Sequence, residues 1–225
     1  MTSENAISNL DKIITQIEKA RLNLSDHHIV NLVAISKYST SQDIKTLYEA
    51  GQRAFGENKI QDLKLKQKEL EDLPIAWHFV GTLQKNKINN LIDCNPTLMH
   101  SLDSLELAKE LDKKLKAKNK TMNCLVQINS SYEDTKSGID PKDATSIINN
   151  IKDNCSNINL KGIMSIGANS QNEEDILKSF QITKEIYDNF NQFTICSMGM
   201  SGDFEIAIKN GSNMVRIGSA LFKSH

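Results

Sequence analysis

The chain has 225 residues, a formal net charge of −1 at pH 7, 39% hydrophobic residues and 24% charged residues. This composition is typical of a globular protein whose core is large enough to fold without staples. The balanced charge excludes a polybasic nucleic-acid-binding protein and an acidic tail protein. No apolar run reaches roughly 18 residues, and residues 1–25 lack a signal-peptide pattern, so we expect a cytoplasmic protein without a membrane span.

The cysteines and histidines do not form a metal-binding pattern. The four cysteines are 30 or more residues apart and form no CxxC pair, and the five histidines form neither HExxH nor HxH. A disulfide framework is not expected in a chain without a signal peptide. We therefore predict buried free thiols and no metal site.

Apolar positions three and four residues apart predict an amphipathic helix over residues 4–21. Along the rest of the chain, short apolar runs alternate with helical patterns. The predicted strands cover residues 31–37, 54–57, 75–81, 97–103, 122–129, 160–167, 194–200 and 213–222, and the predicted helices lie at 41–50, 58–72, 87–92, 104–118, 142–154, 173–190 and 203–211.

Eight strands that alternate with helices are typical of a parallel α/β fold, and this count is that of a closed (β/α)8 TIM barrel. A doubly wound open sheet is the competing architecture. It would need a Gly-rich turn after the first strand, and NLVAISKYST has none. We therefore predict one barrel domain over residues 1–225, with an extra N-terminal helix within residues 1–25 that packs on the barrel.

Active sites of such barrels lie at the carboxyl ends of the strands, where Lys37 follows the first strand. Partial desolvation there would lower the pKa of its ammonium, and the neutral amine could form a Schiff base with a carbonyl ligand. A solvated lysine at the start of a loop is the alternative interpretation.

The segment SMGMSGDFEIAIKNG, at residues 197–211, favours a phosphate site after the seventh strand. Gly199 and Gly202 free the backbone, Ser201 supplies a hydroxyl, and Asp203 opens a helix whose N–H groups would face an anion. Loops after strands 7 and 8 form phosphate sites in many barrels. The alternative is a helix cap with a glycine turn.

Arg216 lies in the apolar eighth strand of a lysine-rich chain, which suggests that its planar, permanent charge matters. A surface salt bridge is the alternative. His78, in the third strand, is either a site residue or a core histidine, and Lys136 follows the fifth strand. A Schiff-base lysine, a phosphate cradle and an arginine at a ring nitrogen together indicate pyridoxal 5′-phosphate (PLP).

The chain resembles the pyridoxal phosphate homeostasis protein family, which is similar in fold to the barrel domain of bacterial alanine racemase. The resemblance covers the chain from end to end, and its longest motif is highly specific. The motifs are LVAISK (32–37), FGENKIQD (55–62), WHFVGTLQKNK (77–87), HSLDS (100–104), EDTKSGI (133–139), GIMSIG (162–167) and SMGMSGDFEIAIKNGSNMVRIGSALF (197–222).

The resemblance implies that Lys37 carries the cofactor covalently as a Schiff base, and that Arg216 stands near the pyridine nitrogen or serves the phosphate. Lys136 would be a second lysine near the site, of open role. The chain ends in LFKSH, where family members usually have Gly after the Phe. The remaining implied residues hold the phosphate (Ser201, Gly202, Gly218 and Ser219) or surround the ring or phosphate (Asn58, His78 and Met164).

The implied function is reversible PLP binding for vitamin B6 homeostasis, with no metal, no catalytic residue and negligible catalysis. An unprotonated ring nitrogen beside an arginine restrains carbanion chemistry. Alanine racemase uses a second base from another domain. Here we expect the barrel to occupy the whole chain, and no tyrosine has a clear claim to that role. We expect a monomer that binds PLP and hands it transiently to PLP-dependent apo-enzymes, without nucleic acid or membrane partners. The alternatives are a weak PLP-dependent amino-acid racemase and a Schiff-base aldolase that acts on a sugar phosphate.

Overall fold

A computed structural model describes residues 1–133 and 135–223; Asp134 of the EDTKSGI motif and Ser224 and His225 of the tail lie outside them. Eight parallel strands, each paired with the next in chain order and the last with the first, form a closed barrel. The predicted (β/α)8 fold class is confirmed. The strands are β1 (Asn31–Ile35), β2 (Ala54–Glu57), β3 (Ala76–Phe79), β4 (Leu98–Leu102), β5 (Met122–Ile128), β6 (Ile158–Ser165), β7 (Ile195–Ser197) and β8 (Met214–Ile217).

The helices form a ring around the barrel, and their bounds overlap the predicted ones. A short 3-10 helix, Lys85–Lys87, precedes the fourth α-helix. The α-helices are α1 (Ser3–Leu22), α2 (Ser41–Glu49), α3 (Ile60–Glu69), α4 (Ile88–Cys94), α5 (Leu105–Ala117), α6 (Pro141–Asn154), α7 (Glu173–Asp188) and α8 (Phe204–Lys209).

The strands are apolar on both faces because each face meets a different part of the core. Outward side chains such as Phe55 and Val126 pack in the large cluster against the helices. Inward side chains fill the barrel with a smaller cluster that includes Val33, Leu125 and Met164. This double burial is typical of parallel strands covered by helices, so the barrel interior is a packed core.

Helix α1 packs against both α2 and α8, the place that a helix after β8 would take. Its Asn9 Nδ2 donates hydrogen bonds to the carbonyl oxygens of Leu221 (3.1 Å) and Lys223 (2.9 Å). The helix therefore completes the ring and holds the last described residues of the chain against the barrel.

The predicted eighth strand, 213–222, is wrong beyond Ile217. Pairing of β8 with β1 ends at Ala34 and Ile217 because β1 itself ends at Ile35. The chain then turns at Gly218, whose carbonyl accepts hydrogen bonds from the backbone N–H groups of Leu221 (3.0 Å) and Phe222 (3.3 Å). Gly218 and Ser219 consequently lie in a loop at the carboxyl end of the barrel.

All four cysteines are buried free thiols, as predicted. Within residues 1–133 and 135–223, no three histidine, cysteine or acidic side chains cluster as metal ligands. No helix in those ranges is both long and apolar enough to cross a bilayer.

Candidate functional site

A cavity of about 490 Å³ opens at the carboxyl end of the barrel, between β1, β8 and the loop after β7. This volume lies in the range of roughly 300–1,000 Å³ that small-molecule sites occupy. The residues that line it are Ile35, Lys37, Tyr38, Ser39, Met200, Ser201, Gly202, Arg216, Gly218, Ser219 and Phe222.

The cavity brings together most of the residues that the sequence predicts for the site. Lys37, Arg216 and both Gly/Ser loops line this one cavity. The predicted residues that do not line it are Asn58, His78 and Met164.

Lys37 is exposed, so the partial desolvation expected from the sequence is not found. Strand β1 ends two residues before it, and a turn closed by Ser39 N–H and Ser36 C=O (2.9 Å) carries it into the open mouth. Its Nζ lies 5.0 Å from the centre of the Tyr38 ring, a cation–π contact. Among the described residues, its ammonium makes no hydrogen bond or ion pair, so the amine is available to a ligand.

Arg216 is buried inside the barrel, where three hydrogen bonds fix its guanidinium. Nη1 donates to the carbonyl oxygen (3.0 Å) and the hydroxyl (2.7 Å) of Ser197, and Nη2 donates to the carbonyl oxygen of Ser165 (2.8 Å). A guanidinium carries five N–H donors, so at least two remain without a partner among the described residues. The predicted surface alternative does not apply, because this arginine is an internal donor that lines the cavity.

The charge of Arg216 is uncompensated by any ion pair in the described part of the chain. Burial lowers its pKa to about 10, while the nearby Asp203 carboxylate acts in the opposite direction. A buried cation without a counter-ion is costly, and a ligand acceptor in the cavity would reduce that cost. The arrangement therefore favours a ligand with an acceptor atom at this depth.

The loop after β7 has a fixed shape that leaves donors free. Gly199 has φ +94°, and a Cβ there would lie 2.7 Å from Phe204 Cα, so this position requires glycine. The carboxylate of Asp203 accepts a hydrogen bond from Met200 N–H (2.6 Å), and Asp203 N–H donates to the Met200 carbonyl (3.1 Å). Burial raises the pKa of Asp203.

Backbone N–H groups of Ser201, Gly202 and Ser219 have no partner among the described residues. The Ser219 hydroxyl donates a hydrogen bond to the Ser201 hydroxyl across the two loops (3.4 Å). A Cβ on Gly202 would meet nothing within 4 Å, so this wall stays open. Such convergent N–H and hydroxyl groups fit an anionic group such as a phosphate. Helix α8 has only six residues, so this donor set rests on the loops.

His78 and Met164 lie inside the barrel and do not line the cavity. His78 Nδ1 is 2.8 Å from His100 Nε2, and desolvation lowers the pKa of His78 to about 4 and that of His100 well below its usual value. Both rings are therefore neutral at pH 7, and one donates to the other. Met164 packs in the inner cluster, against which the cavity-lining Ile35 also packs.

Asn58 lines a separate cavity of about 240 Å³ beside the loops after β2 and β3. Its carbonyl oxygen fits so closely against Gly81 that a Cβ on Gly81 would lie 1.9 Å from it. This backbone contact explains the glycine after β3. Asn58 and Lys37 therefore line different cavities of the mouth.

Lys136 is held by its own surroundings. Its Nζ donates to Glu133 Oε1 (2.7 Å), to the Gly167 carbonyl (2.7 Å) and to the Ser131 hydroxyl (3.3 Å). It lines a cavity next to that of Lys37, and the two cavities share Met200 and Gly202. The lysine thereby links the loops after β5 and β6.

Sequence reasoning missed Met200 and Phe222 in the cavity lining, and it gave Tyr38 no role there. It also missed a buried ion pair of Glu57 and Lys66 behind Lys37. Tyr38 follows the predicted lysine directly, which is the one signal that could have indicated it. The ion pair joins a strand to the far part of the next helix, and no sequence pattern marks such a contact.

The geometry can be compared with that of known proteins. The family model "Alanine racemase, N-terminal domain" matches residues 8–225. The pyridoxal phosphate homeostasis protein of Helicobacter pylori is 50% identical over 95% of this chain and 96% of its own length. The protein of that name from Aquifex aeolicus is 33% identical over 97% of both chains. The chain belongs to the pyridoxal phosphate homeostasis protein family.

Solved structures of similar proteins share the barrel fold. PipY of Synechococcus elongatus, solved with PLP bound, is 28% identical and superimposes with a TM-score of 0.84 over 97% of this chain and all of that one. Alanine racemase of Clostridium difficile, 17% identical with a TM-score of 0.78, shares the fold over 99% of this chain and 60% of its own length. The resemblance stated from the motifs is confirmed.

Proposed function

We propose that this protein binds PLP as a Schiff base on Lys37 and holds it reversibly for vitamin B6 homeostasis, with negligible catalysis. One observation carries the proposal: a single cavity contains a free primary amine, a buried arginine with unpaired donors, and two loops that present unpaired N–H groups and two serine hydroxyls. These three features match the aldehyde, the ring and the phosphate of PLP. The names of the Helicobacter and Aquifex relatives and the PLP-bound PipY structure support it.

The two Gly/Ser loops would hold the phosphate. Ser201 and Ser219 offer hydroxyls, and the N–H groups of residues 201, 202 and 219 are without internal partners in the described chain. Gly202 and Gly218 keep the wall free of side chains. Phosphate oxygens accept several hydrogen bonds at once, so this donor set suits a phosphate monoester better than a single carboxylate.

Arg216 would stand at the ring, because its bonds to Ser165 and Ser197 hold the guanidinium inside the barrel, whereas the phosphate loops lie at the rim. When bound, PLP supplies an aldehyde that condenses with an amine and releases water. Lys37 then needs no burial of its own, since a ligand held at both ends brings the aldehyde to the exposed amine by proximity. Contacts of Asn58, His78 and Met164 with the cofactor stay predictions.

The titratable groups that line the cavity support binding rather than catalysis. They are Lys37, Tyr38 and Arg216, and the Tyr38 ring lies beside the lysine amine. Racemisation needs an acid and a base on opposite faces of the reacting carbon. An arginine at the ring nitrogen keeps that nitrogen unprotonated and weakens the ring as an electron sink.

The weak racemase remains the second candidate, because Tyr38 is a titratable hydroxyl in the same cavity. We also propose that the protein is a cytoplasmic monomer that passes PLP transiently to apo-enzymes, and that the chain forms one barrel domain.

Three measurements on purified protein incubated with PLP test this function. We expect a Schiff-base absorbance band that Lys37→Ala lacks, release of PLP to an apo-enzyme, and amino-acid racemisation no faster than in the Lys37→Ala variant. Racemisation that depends on Lys37 and falls in Tyr38→Phe would support the racemase instead. Absence of PLP binding, with a sugar phosphate trapped on Lys37 by reduction, would support the aldolase.

A further inference from the structure

Two opposite charges are buried directly behind Lys37, outside the cavity. Glu57 ends β2 and is fully buried, and Lys66 on α3 is only 7% exposed. Lys66 Nζ lies 2.7 Å from Glu57 Oε1. Neither residue lines the Lys37 cavity, so neither charge would contact a PLP bound there.

Both charged side chains bind Ser36, the residue before Lys37. Lys66 Nζ donates to the Ser36 carbonyl oxygen (2.8 Å), and the Ser36 hydroxyl donates to Glu57 Oε1 (2.5 Å). The Ser36 N–H donates to the Gly56 carbonyl (3.0 Å). Every polar group of Ser36 is thus hydrogen-bonded, and the backbone immediately before Lys37 is held in one position.

Fold stability alone does not account for this arrangement. Burying two charges costs free energy that their attraction only partly returns, and well-packed apolar residues are often equal or better replacements. Glu57 Oε2 has no hydrogen-bond partner in the described chain, so even this pair is incompletely satisfied. An apolar pair, however, could not donate a hydrogen bond to the Ser36 carbonyl.

We propose that Lys66 and Glu57 are positioning residues, which fix Ser36 and thereby aim the Lys37 amine at the carbonyl of its ligand. The inference rests on the proposed Schiff base at Lys37. Lys37 has no bond of its own among the described residues, so its approach depends on the backbone that carries it. A less constrained backbone would populate the productive geometry less often, which weakens covalent retention of PLP.

The test compares covalent with non-covalent binding. The double variant Glu57→Gln/Lys66→Met removes both charges together and avoids a buried unpaired charge. We expect its PLP dissociation constant to rise about tenfold, the scale of one lost charge-assisted hydrogen bond. In a Lys37→Ala background, where PLP binds without the covalent link, we expect the same double substitution to change PLP affinity less than twofold.

Ile148→Val is the matched control, because Ile148 is a fully buried side chain on α6, away from β1 and β2. It should lower the stability of the ligand-free protein without changing PLP retention. Ser36→Ala removes the hydroxyl, with its short hydrogen bond to Glu57 and its longer contact (3.4 Å) with the Gly56 carbonyl, and it serves as the test if the double variant does not fold. We expect it to weaken PLP binding about threefold in the Lys37 protein and not in the Lys37→Ala protein.

A double variant that folds and binds PLP within twofold of the parent would overturn the inference and leave the proposed function intact. An equal loss of affinity with and without Lys37 would also overturn it, because the pair would then support the whole site. If the double variant does not fold, an unchanged PLP affinity in Ser36→Ala would overturn the inference in its place. Failure of the parent protein itself to attach PLP at Lys37 would instead remove the proposed function, and the inference with it.

Discussion

Two sectors of the barrel mouth carry similar polar residues, but these residues differ in whether they have hydrogen-bond partners within the protein. On the side of β1, β7 and β8, Arg216 keeps unpaired donors and the two Gly/Ser loops keep unpaired N–H groups. On the side of β3 and β4, His78 is bonded to His100, and Ser101 donates to the Gly81 carbonyl (2.6 Å). Polar residues at strand ends therefore do not by themselves define a site. The unpaired donors of Arg216 line an open cavity, whereas the Nδ1 of His100, which is unpaired in the described chain, is fully buried.

The largest expected effect is the loss of Lys37. Lys37→Ala should abolish covalent retention of PLP, because no other amine lines the cavity among the described residues. Gel filtration after incubation with PLP, followed by absorbance, measures it. Lys136→Ala is the matched control on the neighbouring cavity, and it should retain PLP; equal loss in both variants would remove the distinction between the two lysines.

Arg216→Met should weaken PLP binding about 100-fold, since a charged donor to a buried acceptor is lost. Equilibrium titration of PLP absorbance gives the affinity. Arg53→Met is the control, because Arg53 is exposed and precedes β2, at the other end of the barrel. A similar fall in both variants would contradict an internal role for Arg216.

Substitutions of the serines in the two sectors should affect different properties, PLP affinity in one sector and stability in the other. Ser201→Ala/Ser219→Ala should weaken PLP binding about tenfold and leave binding of pyridoxal, which lacks the phosphate, unchanged. Ser101→Ala should lower the free energy of unfolding by about 1 kcal/mol without altering PLP affinity. Loss of pyridoxal binding in the loop variant would show that these hydroxyls do not act through the phosphate.

The last prediction concerns pH, and it acts on stability and not on PLP binding. Burial lowers the pKa of His78 to about 4, so the unfolded chain gains a proton near pH 6.5 that the folded chain does not bind until about pH 4. Stability that is present above pH 6.5 is therefore lost as the pH falls towards 4, by about 1 kcal/mol per pH unit. Urea unfolding between pH 7 and 4.5 should show a shallower dependence in His78→Gln, whereas the exposed His27→Gln should match the parent.

The sequence was sufficient for the fold because each strand is a short apolar run between helical patterns. It also indicated Lys37, Arg216 and both Gly/Ser loops, since all follow or end strands that meet at one side of the barrel. The sequence could not predict which inward side chains reach the cavity: His78 and Arg216 both point into the barrel, yet only Arg216 lines the cavity. Exposure of Lys37 was not readable either, because it depends on where the pairing of β1 ends.

The most direct test is borohydride reduction of the protein loaded with PLP, followed by peptide mass mapping. Reduction makes an imine permanent and so identifies the lysine that carried the aldehyde. We predict one major pyridoxyl adduct, on Lys37. An adduct on Lys136, a spread over many lysines, or none after incubation with excess PLP would contradict the proposed site.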